Sequence, residues 1–171
     1  TLAGKSVFPE DHPLALGCGG NSATAMARNF LPRSDFVLGL GTSFSNNHFN
    51  IAMPAGVTLG QVTNCPEDLG KHRGVRCGAV GDAKLVLRQM IEEVKSQAGA
   101  RGRPENTGLK QEIANEKQIF LGEWAPKLHA DEIPINPYRV ITELAKAVDV
   151  ANTIITHDSG FPRDQFVPFW E

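Results

Sequence analysis

The chain has 171 residues, 41% of them hydrophobic and 21% charged, with 17 Lys and Arg against 19 Asp and Glu for a net charge of −2. These values exclude a disordered or fibrous protein and leave no broad positive field for a nucleic-acid backbone. A chain of this length supports one buried core and at most a small annex.

No uninterrupted apolar run approaches the ~18 residues of a membrane helix, and residues 1–6 lack the basic and apolar regions of a secretory signal. Cys18, Cys65 and Cys77 are odd in number and form no C-x-x-C pair. The chain therefore reads as cytoplasmic, without a membrane partner or a disulfide framework. A start at Thr1 and a stop at Glu171, just after an apolar run, both read as cuts in a longer polypeptide.

In chain order, the glycine-rich segment Gly17-Cys18-Gly19-Gly20 leads into a helix from Asn21. That helix carries Ala23, Met26, Ala27, Phe30 and Leu31 at helical spacing and is expected to lie close against a sheet. Pro32 and Ser34 end it. The run Phe36-Val37-Leu38-Gly39-Leu40-Gly41 has the continuous apolar character of a fully buried parallel strand. A loop spans 42–56, strands follow at 57–62 and 76–80, and Asp82 caps a helix. Its apolar stripe is Ala83, Val86, Leu87, Met90, Ile91 and Val94. The segment 97–108 is rich in Gly and Pro and lacks periodicity, which marks a linker. Beyond it lie a polar helix at about 109–124, an extended piece from Pro126 to Pro134, a helix opened by Asn136-Pro137, and a strand at Thr153-Ile154-Ile155-Thr156. Alternating strands and helices give an α/β fold, a Rossmann-like doubly wound parallel sheet with helices on both faces. The predicted divisions are a central domain at 1–100, a linker and helix at 101–136, and the start of a further domain at 137–171.

In such a sheet ligands sit beyond the carboxyl ends of the strands, where glycines allow close backbone approach to a phosphate. Two segments fit: the turn with Gly17 and Gly20, and the strand end with Gly41, Thr42 and Ser43. Neither has G-x-G-x-x-G spacing, so turns that need only glycine's backbone freedom explain them equally well. Asp158, Ser159 and Gly160 follow a predicted strand and occupy a similar position, although Asp-Ser-Gly is also ordinary turn chemistry. Glu10, Asp11 and His12 sit between Pro9 and Pro13, where capping of local N–H groups is favoured over acid–base work. Cys65, His72 and Cys77 lack a zinc spacing, and His48, His129 and His157 stand alone in sequence.

The run from Leu2 to Pro13 with Leu16, Gly17 and Gly20 resembles the central domain of acetolactate synthase-like thiamine-diphosphate enzymes. Ser34-Asp35, Gly41-Thr42-Ser43-Phe44, Pro66 to Gly70 and Gly81-Asp82 follow in that family's order. Pro137-Tyr138 to Leu144 and Thr156 to Gly160 resemble the opening of the diphosphate-binding domain. The resemblance implies a three-domain parent, a homodimer or homotetramer, in which this chain's partners are the remaining N- and C-terminal domains. It implies thiamine diphosphate and Mg²⁺ as cofactors and a reaction that forms or cleaves a carbon–carbon bond beside a 2-keto acid's carbonyl, with the cofactor as electron sink. Gly17, Gly20, Gly41, Thr42 and Ser43 would then line an FAD or ADP site, and Asp158, Ser159 and Gly160 would approach the thiamine diphosphate. No catalytic residue and no metal ligand is expected within the chain.

The chain departs from the pattern in three places. Ser43 stands where flavin-binding relatives carry Arg, Val62-Thr63-Asn64-Cys65 replaces an acid-rich I-D-x-D segment, and Gly19 replaces a histidine. Each change removes a group suited to phosphate or ribose. Two other readings stay open: a free-standing FAD- or NAD-type nucleotide-binding module, and a structural domain without ligand. The parts expected to do the chemistry lie outside the chain, which would leave Phe161, Phe166, Phe169 and Trp170 without packing partners.

Overall fold

The computed structural model describes residues 2–46, 50–158 and 160–170. Its elements are α1 (Ala25–Phe30), β1 (Phe36–Leu40), β2 (Thr58–Thr63), β3 (Cys77–Val80), α2 (Ala83–Ala98), α3 (Thr107–Leu128), α4 (Pro137–Ala147) and α5 (Phe161–Phe166). They fall into two compact units, one of the described residues in Pro32–Asn47 and Met53–Asn106, the other of those in Thr1–Leu31, His48–Ala52 and Thr107–Glu171. Among the described residues no helix is long and apolar enough to cross a membrane.

The first unit carries the expected α/β, Rossmann-like character: a parallel sheet in the order β1-β2-β3, followed by a helix. Phe36 pairs with Thr58 and Leu40 with Val62, and Gly60 to Thr63 run alongside Cys77 to Val80. β2 is the middle strand and is buried from Leu59 to Thr63. β1 was expected to be fully buried. Phe36 is instead 45% exposed and Leu40 41%, because β1 has a described neighbour on one side only. Asp82 caps α2 by accepting a hydrogen bond from Leu85 N–H at 3.0 Å. The apolar stripe meets β2 through its N-terminal part, where Ala83, Val86 and Leu87 are half-buried, while Ile91 and Val94 stay about half exposed.

The second unit is helical. Its core joins Met26 and Phe30 of α1 to Ile113 and Phe120 of α3, all under 9% exposed, with Leu16, Trp124 and Phe169 packed around them. The face of α1 that the sequence suggested for a sheet therefore lies on α3. α1 also starts four residues later than expected, because Thr24 provides the cap: its hydroxyl accepts from Ala27 N–H at 3.2 Å and donates to the Leu16 carbonyl. Replacing Thr24 by alanine is expected to lower the stability of this unit by about 1 kcal/mol in a urea melt.

α3 continues past its predicted end and takes Pro126 into its last turn, so only the segment after Leu128 is non-helical. α4 begins as predicted: Asn136 Oδ1 accepts from Tyr138 N–H at 3.0 Å, and Pro137 lies in the first turn. Ile141, 1% exposed, anchors it. The strand expected at 153–156 is absent. A strand exists only with a hydrogen-bonded neighbour, and this segment has none among the described residues, leaving Ile154 92% exposed. Phe169 does have partners: it stacks on Phe120 with ring centroids 5.6 Å apart and meets Trp124 and Tyr138 edge-on. Phe161 remains 80% exposed.

Candidate functional site

The Gly17–Gly20 turn belongs to the helical unit and the Gly41–Ser43 turn to the sheet unit. Gly17 has φ 74° and Gly20 φ 94°. A β-carbon at Gly17 would lie 2.6 Å from Thr24 Cγ2, and one at Gly19 2.9 Å from Ile51 Cγ2. Two N–H groups that a helix start at residue 21 would have offered to a phosphate are bound within the chain. Ala23 N–H donates to the Gly20 carbonyl at 3.0 Å and Thr24 N–H to the Cys18 carbonyl at 3.2 Å. Cys18 is 4% exposed, and burial pushes its thiol pKa up, so it remains a protonated core residue.

At the end of β1, Gly41 has φ 62° and open space where a side chain would stand. Its N–H is taken by the Val62 carbonyl at 2.8 Å, and Phe44 N–H is taken by the Thr42 hydroxyl at 3.2 Å. The Thr42 carbonyl accepts from Gln61 Nε2 at 2.9 Å, and Ser43 is half-buried. The N–H groups of Gly41 and Phe44 thus serve the fold, and the position that carries Arg in the resembled pattern has a hydroxyl side chain.

Asp158 is exposed, and its carbonyl lies 3.0 Å from His157 Nδ1. Gly160, at φ 99°, opens α5, whose six residues give a weak axial dipole. Ser159 and His48 lie outside the described residues. A link that the sequence did not reveal joins the glycine segment to α5. Ser22, 5% exposed, donates through Oγ to Asp164 Oδ1 at 2.7 Å. Arg163 also binds this carboxylate and holds it below the usual aspartate range, Ser22 adding to the effect and slight burial opposing it. Ser22 and Asp164 are 142 positions apart, so no local pattern could have marked them.

Glu10 accepts from Ser6 N–H at 3.0 Å and pairs with Lys5, and His12 Nδ1 accepts from Leu14 N–H at 3.1 Å. These are capping roles within one loop. Cys65 donates to Glu67 at 3.0 Å, which raises the thiol's pKa and lowers the carboxyl's. Among the described residues, no group of three His, Cys, Asp or Glu is placed to hold a metal ion. Two clefts open in the helical unit. One of about 520 Å³ lies between Ser22, Arg28, Trp124 and Asp164, and one of about 860 Å³ between Lys5, Glu10, His157 and Trp170.

The family described as thiamine pyrophosphate enzyme, central domain, matches residues 1–90. The chain belongs to that family. It is 31% identical over 168 residues to a probable acetolactate synthase large subunit of Methanococcus aeolicus, covering 94% of this chain and 28% of that protein. A probable acetolactate synthase large subunit of Methanocaldococcus jannaschii is 30% identical, with 94% and 27% covered. Glyoxylate carboligase of Escherichia coli is 29% identical over 150 residues, with 86% and 25% covered. The chain thus spans about a quarter of the length of these relatives.

Proposed function

We propose that this chain supplies the central domain, and the segment that follows it, of a thiamine-diphosphate- and Mg²⁺-dependent enzyme acting on 2-keto acids, as a carboligase or decarboxylase of the acetolactate synthase-like kind. The observation that carries this reading is likeness to acetolactate synthase large subunits over 168 residues, well past the central-domain match and into α3, α4 and α5. The remaining domains of the polypeptide and a second subunit are the partners in this reading, and the sheet unit acts chiefly as a brace.

The described residues offer no metal cage, and Asp158 and Gly160 alone do not form a cradle for a diphosphate. They do not fit the Mg²⁺–diphosphate group, and the chain by itself is expected to turn over no keto acid. A nucleotide such as FAD or ADP at Gly17, Gly20, Gly41, Thr42 and Ser43 is the weaker part of the proposal. The internally bonded N–H groups and Ser43 favour the second reading, a structural central domain without ligand.

Calorimetric titration with ADP, FAD and thiamine diphosphate, each with Mg²⁺, separates these readings. No thiamine diphosphate binding tighter than millimolar is expected. Micromolar ADP or FAD binding would support a nucleotide-holding domain, and silence with both would support the bracing role. Tight thiamine diphosphate binding would sink the assignment of that site elsewhere.

A further inference from the structure

Gly39, Gln61 and Gly78 stand side by side in register on β1, β2 and β3. Residues in register share one face of a parallel sheet, so this row presents a single carboxamide between two positions without side chains. The loops that leave the carboxyl ends of β1 and β2 fold back into both gaps. A β-carbon at Gly39 would sit 2.4 Å from Phe44 Cζ and 2.5 Å from Thr42 Cγ2, and one at Gly78 2.4 Å from Leu69 Cδ1. Between them Gln61 is 1% exposed. Its Nε2 donates to the carbonyls of Thr42 and Asp68, both at 2.9 Å, and its Oε1 accepts from Gly70 N–H at 2.8 Å.

We propose that Gln61 is a positioning residue that locks the loops 41–46 and 64–70 into one ligand-facing rim, so that they hold or release together. The lock rests on these three hydrogen bonds, and only its transmission to a ligand rests on reading Gly41, Thr42 and Ser43 as nucleotide-facing. A neutral carboxamide offers two donors and an acceptor at one site, and all three are in use here. An aliphatic replacement leaves two part-buried carbonyls and one part-buried N–H without this partner. Because both loops hang on the same group, a nucleoside diphosphate seated at the first loop is felt at the second.

Hydrogen exchange on the full chain tests this, comparing wild type with Gln61→Leu and Gln61→Glu. Gln61→Leu should speed exchange in peptides covering 41–46 and 64–70 together, at least tenfold, while α3 and α4 keep wild-type protection. In Gln61→Glu the protonated carboxyl keeps one donor and one acceptor, so at pH about 5 both loops should stay close to wild type. The two facing carbonyls raise that carboxyl's pKa above the usual range. Protection should therefore fall in both loops as pH rises towards about 7 and the group ionises. Loosening of one loop alone, or a Gln61→Glu variant insensitive to pH, would overturn the proposal. If Gln61→Leu loses all protection in β1–β3, the Gln61→Glu pair of measurements decides alone.

An added ADP arm keeps the two readings apart. ADP that slows exchange at 64–70 in wild type but not in Gln61→Leu supports the transmission. A wild type that takes up no ADP refutes the nucleotide reading and the transmission with it, while the exchange results still decide the lock.

Discussion

Replacing Phe120 by alanine is expected to cost the helical unit about 3–5 kcal/mol, the largest loss from any single truncation here. Phe120 is 7% exposed and belongs to the cluster with Met26, Phe30 and Ile113. Its ring stacks on Phe169 at an interplanar angle of 9°, with Trp124 at 6.2 Å. Alanine leaves a cavity that neighbours on two helices close only in part, and it also removes aromatic pairing worth about 0.5–1.5 kcal/mol per pair. Against a whole-domain stability of about 5–15 kcal/mol this is a loss of at least about a fifth. Urea melts followed by tryptophan fluorescence measure this, and Phe120→Leu should lose far less. A loss below about 1 kcal/mol for Phe120→Ala would mean that this stack is not the centre of the core.

The second large effect is expected at Gly17. Valine there must adopt φ near 74°, a left-handed conformation that costs an L residue about 1–2 kcal/mol. Its β-carbon also collides with Thr24, whose hydroxyl caps α1, adding about 1–3 kcal/mol of overpacking. Gly41→Ala is the control, since φ is 62° but the space is open. It should lose only the conformational part. If the two variants lose equal stability in denaturant, the contact with Thr24 yields freely and the packing argument fails. The comparison bears on function too, because a Gly17 required by its own helix cap needs no ligand to account for it.

The sheet and the capped helices were legible because their signals are local. The apolar run at Phe36–Leu40, Asp82 before a striped helix, and Asn136-Pro137 each determine an element from a few neighbouring residues. The misreadings have different causes. The glycines before Asn21 suggested a helix start, yet Thr24 wins because its hydroxyl can reach both Ala27 and Leu16. Thr153–Thr156 has the composition of a strand, and composition cannot supply a neighbouring strand. Pro126 looked like a helix breaker but falls in the last turn of α3, where the helix forgoes the one bond to the Gly122 carbonyl and ends two residues later. In the candidate turns, the glycines and Thr42 stand out by their residue types alone. Gln61 and Ser22 were not, since a buried carboxamide and a buried hydroxyl gain meaning only from the loops and helix that surround them.

The helical unit is discontinuous in sequence, with α1 preceding the residues of the sheet unit and α3 following them. On a ribosome this sets a schedule. At about 5–20 residues per second, the roughly 90 residues between Met26 and Phe120 take about 5–20 s to synthesise. The strands emerge within that interval and can pair first. Met26 and Phe30 meanwhile wait without the side chains that will cover them, so α1 is the part of the nascent chain most open to a chaperone or to a wrong neighbour.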